Sequence, residues 1–149
     1  MNNNLLEIDT KKVLERFAEL TGKKQRAVYR NGLRKAARIL ANETRKELRK
    51  IVGAKINSRN KWNGKTLGSG IKYKIDKEGT EAKIHIMGDF RLKFFEKGTV
   101  KRFIRKNKAN RGSMKANYFF RASKANKEKE VFASLDRLIS ESINRVANK

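Results

Sequence analysis

The longest regular pattern in the sequence is a helical one that spans residues 23–52. At 100° per residue, a set of apolar or small side chains falls within an arc of about 120°, as in an amphipathic helix that packs by one face. That set is Tyr29, Leu33, Ala36, Ala37, Leu40, Thr44, Leu48 and Ile51. The opposite flank predicts a cationic ridge, made of Arg30, Arg34, Lys35, Arg38, Arg45, Lys46 and Arg49.

Two alternating segments after this helix predict a β-hairpin. Apolar residues alternate with lysines over residues 71–75 and with mostly polar residues over 82–86, and a polar turn at 76–79 joins them. A second amphipathic helix is predicted over residues 127–147. A long N-terminal helix, a hairpin and a C-terminal helix predict an α+β fold, with both helices packed on a small antiparallel β-sheet.

The length of 149 residues is that of one ordinary domain, so we expect a single domain over residues 1–149. Residues 1–22 are expected to form an N-terminal helical extension, whose helix covers residues 9–20. Residues 23–149 are expected to form the α+β core. Within that core, segment 53–70 reads as a long loop, and a basic, mobile loop is expected near residues 99–117.

Positive charge dominates the composition. The chain holds 39 Lys and Arg against 15 Asp and Glu, which gives a formal net charge of +24. A surface of this sign attracts polyanions over about 8–10 Å at physiological salt. The charge balance therefore favours nucleic acid, an anionic membrane or an acidic protein as a partner, and it carries no information about the fold.

Residue types that carry catalytic or metal-binding chemistry are few. The chain has no cysteine, which excludes disulfides, thiolate zinc sites and cysteine nucleophiles. Its one histidine, His85, is predicted to face away from the core, and its carboxylates are scattered rather than spaced to converge on a cation. We therefore expect no enzymatic activity, no catalytic residue, no cofactor and no metal site.

No targeting or membrane segment is recognisable in the sequence. The first residues lack the basic and apolar regions of a signal peptide. No apolar run approaches the ~20 residues that a membrane span needs. We therefore expect a protein that is made and used in the cytoplasm and does not contact a membrane.

The most concentrated charge lies between residues 91 and 111. Phenylalanines at 90, 94, 95 and 103 are interleaved with the cations, a mixture that supplies stacking and phosphate contacts on single-stranded nucleic acid. We expect the phenylalanines to face the core and the cations to contact either an acidic partner protein or DNA. The candidate contact residues are Arg91, Lys93, Lys101, Arg102, Arg105, Lys106, Lys108 and Arg111.

Three short motifs follow the long basic helix in order. They are Gly-Lys-Thr-Leu-Gly-Ser-Gly-Ile at residues 64–71, Phe-Phe-Glu-Lys-Gly-Thr at 94–99 and Tyr-Phe-Phe-Arg-Ala at 118–122. In their order and spacing, over about residues 25–147, the chain resembles the head–tail joining or tail-completion proteins, which are small neck proteins of long-tailed, lambdoid-type phages and prophages. Members of that family usually have prolines around the last motif, and this chain has none.

The resemblance implies a structural role in virion assembly, with no catalytic residues to transfer. It implies other neck, portal or tail proteins as partners, a homo-oligomeric ring in the virion, and transient contact with DNA. The expected location is the virion neck or tail, after synthesis in the host cytoplasm. Within the Glu-x-Gly-Thr motif, Glu96, Gly98 and Thr99 are expected to form a structural turn, in which Gly98 supplies a backbone angle that other residues resist.

Two other classes of function stay open at this level. A basic nucleic-acid-binding protein of the host or of a mobile element would lose affinity steeply with salt, by about −0.9 in log–log slope for each neutralised duplex phosphate. A small nuclease or toxin-like enzyme would cleave plasmid DNA or RNA in the presence of magnesium or manganese. Binding at varied salt and an assay for cleavage distinguish these classes from an assembly protein.

Overall fold

A computed structural model describes residues 5–7 and 22–147 of the chain. In chain order this part contains β1 (Leu5–Glu7), α1 (Gly22–Val52), two 3-10 helices (Gly53–Asn57 and Leu67–Gly70), β2 (Lys72–Ile75), β3 (Ala82–His85), α2 (Arg91–Lys97) and α3 (Phe119–Ala147). The fold is α+β, as the sequence predicts. Helix α1 contacts both α3 and the small antiparallel sheet.

Helix α1 confirms the amphipathic helix that the sequence predicts over residues 23–52. Its apolar arc is buried from Tyr29 to Leu48, and Leu33, Leu40 and Leu48 are at most 2% exposed. Full burial of one leucine side chain stabilises a fold by about 1.5–3 kcal/mol, so this row is a major part of the core. Helix α1 is therefore the axis against which the other elements pack.

Helix α3 packs along α1 and runs antiparallel to it. Thr44 of α1 meets Ser123 near the start of α3, with 2.9 Å between their hydroxyl oxygens, whereas Gly32 of α1 lies beside Leu135. Both hydroxyls are buried, and each also lies within hydrogen-bond distance of a backbone carbonyl of its own helix. The two buried polar groups are therefore satisfied inside the helix interface.

The three strands form one antiparallel sheet in the order β1-β3-β2. Tyr73 of β2 lies opposite Ile84 of β3, which confirms the predicted hairpin. Ala82 and Ile84 are fully buried, and β2 and β3 both contact α1. Because side chains alternate along a strand, the opposite face of the hairpin carries Lys72, Lys74, Lys83 and His85.

The described part of the predicted N-terminal extension, residues 5–7, is a short strand. Leu5–Glu7 is strand β1, which pairs antiparallel with β3 and places Leu6 opposite Ile84. Backbone hydrogen bonds hold such a short edge strand, and three residues are too few for a side-chain pattern to reveal it. The helix predicted over residues 9–20 lies outside the described residues.

Segment 53–70 is more ordered than the predicted long loop. It contains the two 3-10 helices and an isolated bridge between Arg59 and Thr66. Arg45 of α1 holds the end of segment 53–70 in place, because its side chain donates to the carbonyl oxygens of Ile71 at 2.9 Å and Gly68 at 3.4 Å. The sequence pattern assigned Arg45 to the cationic ridge, but its half-buried side chain is a structural anchor for this segment.

The residues that precede α2 pass very close to the end of segment 53–70. The N–H of Gly88 donates to the carbonyl oxygen of Gly70 at 3.1 Å. A Cβ on Gly70 would lie 2.6 Å from the Cβ of Asp89, a separation that only glycine avoids. This close approach positions α2 beside segment 53–70.

Candidate interaction surface

Residues 99–114 form a hairpin that we call the basic arm. Backbone hydrogen bonds join its two sides from the base, where Thr99 donates to Met114 at 2.9 Å, to the tip, where Ile104 donates to Ala109 at 2.9 Å. The sequence suggests an unpaired loop here because the segment has few apolar residues. Pairing of the two sides rests on backbone groups and needs no apolar side chains.

The basic arm carries six cations and no acidic residue. No ion pair joins any of these cations to another residue within 22–141, and all are exposed. Two apolar side chains of the arm, Val100 and Phe103, are 84% and 58% exposed. The structure therefore brings together six of the predicted contact residues on one exposed element: Lys101, Arg102, Arg105, Lys106, Lys108 and Arg111.

Arg102 and Arg111 lie opposite each other across the arm. Arg111 N–H donates to the carbonyl oxygen of Arg102 at 2.7 Å, while Arg102 N–H donates to that of Gly112 at 3.0 Å. Two residues thus oppose one, which is the pattern of a β-bulge. Like charges that face each other across paired strands destabilise the pair, and a bound anion removes that repulsion. This arrangement favours an anionic partner.

The Glu-x-Gly-Thr motif forms the base of the arm, and we call Glu96, Gly98 and Thr99 the anchor. The Glu96 carboxylate is 5% exposed and accepts a hydrogen bond from the Phe120 N–H at 2.8 Å. It thereby caps the start of α3, from a position 24 residues earlier in the chain. This distant cap explains why α3 begins at Phe119 rather than near residue 127, where the sequence placed its start.

Gly98 and Thr99 join the end of α2 to the far side of the arm. Gly98 has φ 71° and ψ −171°, a backbone region that essentially only glycine adopts. A Cβ at this position would lie 2.5 Å from the carbonyl oxygen of Met114. The Thr99 hydroxyl accepts a hydrogen bond from the Met114 N–H at 2.9 Å. The three anchor residues therefore fix the arm to the core.

The two remaining predicted contact residues, Arg91 and Lys93, lie on α2 outside the arm. Arg91 pairs with Asp89, with 2.6 Å between Nη2 and Oδ2 and 2.9 Å between Nε and Oδ1. Hydrogen bonds from the Arg91 side chain hold the pKa of Asp89 below its usual value. Arg91 is thus neutralised by a structural ion pair, whereas the side chain of Lys93 is exposed.

The expectation that four phenylalanines face the core holds for one of them. Phe95 packs against the core, whereas Phe90, Phe94 and Phe103 are 49%, 37% and 58% exposed. Helix α2 has only seven residues and buries the side that carries Leu92 and Phe95. Phe90 and Phe94 therefore remain at the surface.

Trp62 of segment 53–70 contacts one of these exposed phenylalanines, Phe90. Its ring centroid lies 5.8 Å from that of Phe90, and Phe90 lies 5.9 Å from Phe94. We call these three side chains the aromatic cluster. Sequence reasoning assigned no role to Trp62, although an isolated tryptophan in a polar, lysine-rich segment was a usable signal, because a side chain of this size is normally largely buried.

A groove of about 340 Å³ lies between the end of α1, segment 53–70 and α2. Its lining mixes apolar, hydroxyl and basic side chains, and is made of Ile51, Val52, Lys55, Ser58, Leu67, Arg91 and Phe95. These residues offer apolar contact and positive charge. They do not include the carboxylate or imidazole groups that usually serve as general bases.

Neither a metal-binding cluster nor a membrane-spanning helix occurs in the part of the chain that the structure describes. Within residues 5–7 and 22–147, no group of three His, Asp or Glu residues is placed to hold a metal ion. His85 lies opposite Lys72 on the outer face of the hairpin, and its buried Nδ1 has no hydrogen-bond partner among the described residues. No helix in these residues is both long and apolar enough to cross a bilayer.

Comparison with known proteins supplies no relative for this chain. No protein-family model matches it, and neither a curated protein nor a solved structure matches it at a significant level. Any functional assignment therefore rests on the sequence motifs and the surface features of the chain itself.

Proposed function

We propose that this chain is a structural protein of the head–tail neck or of tail completion in a long-tailed phage or prophage, and that it acts by protein–protein assembly without catalysis. The observation that carries the proposal is the basic arm, which is paired along its length but adds no buried side chain to the core. Ordering such an arm costs conformational entropy, and docking on a partner offsets that cost.

The anchor supports this proposal because it shows that the Glu-x-Gly-Thr motif fixes the basic arm to the core. Glu96 caps α3, Gly98 permits close backbone contact, and Thr99 bonds to the far side of the arm. A rigid base preorganises the arm and so lowers the entropy lost when it docks. One of the three motifs that carry the family resemblance thus forms the base that holds the arm in place.

The charge of the arm indicates the chemistry of its partner. Half of its six cations are arginines, which form bidentate hydrogen bonds to carboxylates and are enriched at protein interfaces. We expect the arm to dock on an acidic surface of a neck, portal or tail protein. Because a net charge of +24 opposes association between copies, the homo-oligomeric ring should form together with that partner, and contact with DNA should be transient.

Co-expression with the products of neighbouring genes tests the proposal. These genes are expected to encode portal, capsid and tail components, and light scattering after size exclusion would detect a complex. The double variant Arg102→Glu/Arg111→Glu reverses two charges on the arm. The matched control, Lys124→Glu/Lys129→Glu, makes the same change at exposed positions of α3. We expect the arm variant to lose the complex and the control to retain it.

Three results would contradict the proposal. One is a complex that survives charge reversal in the arm. Another is equal loss of the complex in both double variants, which would mean that net charge rather than the arm drives assembly. The third is a chain that remains a monomer with every neighbouring gene product.

A further inference from the structure

The aromatic cluster connects two parts of the fold that the assembly proposal leaves without a role. Trp62 comes from segment 53–70, whereas Phe90 and Phe94 come from the residues around the start of α2. The planes of Trp62 and Phe90 are tilted by 32°, and Phe90 meets Phe94 edge to face at 86°. Trp62 is 84% exposed, so most of its indole surface is open to solvent.

Folding gains little from aromatic side chains in this position. Single exposed aromatic residues are ordinary on protein surfaces. Three that are linked by contacts from Trp62 to Phe90 and from Phe90 to Phe94 form a continuous apolar patch, and such patches mark binding sites. Trp62 buries too little of its surface to add much to the stability of the fold. The cluster is better explained by a ligand than by packing.

Three exposed lysines accompany the aromatic cluster. Lys61 precedes Trp62, Lys65 follows it in the same segment, and Lys93 lies on α2 between the two phenylalanines in sequence. None of the three forms an ion pair with a residue of the described ranges. The lysines therefore have charge available for an anionic ligand.

Carboxylates near the cluster are already engaged. The sequence has no acidic residue between Glu47 and Asp76, which covers the whole segment that carries Trp62. Around α2, Asp89 is paired with Arg91, and buried Glu96 caps α3. The surface of the cluster is thus aromatic and positively charged, with no free carboxylate from these segments to compete with a ligand.

We propose that the aromatic cluster and its three lysines form a binding site for single-stranded nucleic acid. Bases would stack on Trp62 and Phe90, while phosphates would contact the lysines. Each nucleotide of a single strand offers one flat π face and one negative charge, which is the combination that this surface complements. In a duplex the base faces are stacked on one another, so they are not open to Trp62. The site is independent of the proposed assembly function.

An acidic protein surface is the rival ligand for this cluster. Aromatic residues suit both kinds of ligand, but lysine is depleted at protein–protein interfaces. Of the cations directly adjacent in sequence to the three aromatic residues, Arg91 is paired with Asp89 and the other two, Lys61 and Lys93, are lysines, whereas the basic arm contains Arg102, Arg105 and Arg111. The pairing of aromatic residues with lysines therefore favours a nucleic acid here.

Trp62 is the one tryptophan of the chain, so its fluorescence reports on this site alone. The full-length chain would be titrated with oligothymidylate of about 15 nucleotides, a length in the range of single-strand binding sites. We expect the oligonucleotide to quench Trp62, and heparin, a polyanion without bases, to bind without comparable quenching. Fluorescence anisotropy of a labelled oligonucleotide then gives the affinity of variants that lack Trp62.

The variants separate stacking from general attraction between charges. We expect Trp62→Leu to weaken oligonucleotide binding by roughly 5- to 100-fold and Phe90→Leu to weaken it by a smaller factor. Phe132→Leu is the matched control, because Phe132 is an aromatic residue of α3 that is 45% exposed. The Phe132→Leu variant should bind the oligonucleotide with the same affinity as the unmodified chain. Circular dichroism verifies that each variant is folded.

Three outcomes would overturn the site. One is unchanged affinity in Trp62→Leu, which would assign binding to charge alone. Another is quenching of Trp62 by polyglutamate as strong as that by oligothymidylate, which would assign the cluster to an acidic protein. The third is tighter binding to duplex DNA than to the single strand. Because no partner protein is present in these titrations, their outcome is separate from that of the assembly experiment.

Discussion

The carboxylate of Glu96 in α2 accepts a hydrogen bond from the backbone N–H of Phe120 in α3 at 2.8 Å. The next N–H, that of Arg121, lies 3.4 Å from the other carboxylate oxygen, and the carbonyl oxygen of Glu96 accepts from the Tyr118 N–H at 3.1 Å. One residue thus accepts hydrogen bonds from three backbone N–H groups at the start of α3, those of Tyr118, Phe120 and Arg121. Its negative charge also lies at the positive end of the helix dipole.

Removal of this cap should destabilise the whole domain. We expect Glu96→Ala to lower the free energy of unfolding by about 1–3 kcal/mol, because N–H groups at the start of α3 lose their acceptor. Glu96→Gln keeps an acceptor oxygen and should lose less. Denaturant titration followed by circular dichroism measures both. Glu128→Ala, at an exposed position of α3, should change the value by less than about 0.5 kcal/mol. Equal losses of unfolding free energy in Glu96→Ala and Glu128→Ala would mean that the hydrogen bonds of Glu96 do not stabilise the start of α3.

Gly98 of the anchor combines a backbone conformation that disfavours other residues with steric overlap, whereas Gly64 has a positive φ in open space. Gly98 and Gly64 have φ values of 71° and 64°. A Cβ on Gly64 meets nothing within 4 Å, whereas a Cβ on Gly98 lies 2.5 Å from the Met114 carbonyl oxygen. We expect Gly64→Ala to reduce the free energy of unfolding by about 1 kcal/mol and Gly98→Ala by roughly 3 kcal/mol or more. Similar losses of unfolding free energy for the two variants in denaturant titrations would mean that the arm moves away from the new Cβ at little energetic cost.

The parts of the fold that the sequence predicts correctly are those with local periodicity. Helix α1 shows its apolar arc within one continuous segment, and β2 and β3 show alternation on either side of a recognisable turn. Each of these patterns depends on residues only a few positions apart. Packing of α1 on the sheet then follows from the apolar faces that both elements must bury.

The parts that the sequence does not predict depend on contacts between distant residues. The start of α3 depends on Glu96, which lies 24 positions before its hydrogen-bond donor. The aromatic cluster forms because segment 53–70 folds back onto α2, and no pattern around Trp62 indicates that Phe90 is its neighbour. Arg45 resembles the other cations of α1 in spacing, and only its hydrogen bond to Ile71 shows a different role.

The role of Arg45 can be tested against that of a neighbouring arginine. Arg45→Lys keeps the charge but cannot reproduce the two bonds to the carbonyl oxygens of Gly68 and Ile71, so we expect a loss of about 1–2 kcal/mol in the free energy of unfolding. Arg49→Lys, on the exposed side of α1, should have an effect within about 0.5 kcal/mol. Thermal and denaturant unfolding measure the stability of both variants. Equal stability of the two variants would mean that Arg45 is a solvated cation of the ridge with no structural role.

The ion pair of Asp89 and Arg91 should make stability depend on pH in acid. Hydrogen bonds from Arg91 lower the pKa of Asp89 in the folded state, so the pair contributes stability above the unfolded pKa of about 3.9 and loses it as pH falls through the lower, folded value. We expect Asp89→Asn to be about 1 kcal/mol less stable than the unmodified chain near neutral pH. That difference should shrink below about pH 4. A difference that stays constant with pH would exclude the ion pair as its cause.

Removal of the basic arm separates folding, assembly and nucleic-acid binding. No side chain between residues 101 and 112 is buried, so replacing these twelve residues with an Asn-Gly turn should change the free energy of unfolding by less than about 1 kcal/mol. The shortened chain should lose its complex with neck proteins, because the arm is the proposed docking element. It should still show quenching of Trp62 by oligothymidylate, because the aromatic cluster lies outside the arm. A shortened chain that unfolds or still assembles would show that the arm belongs to the core or has no part in docking.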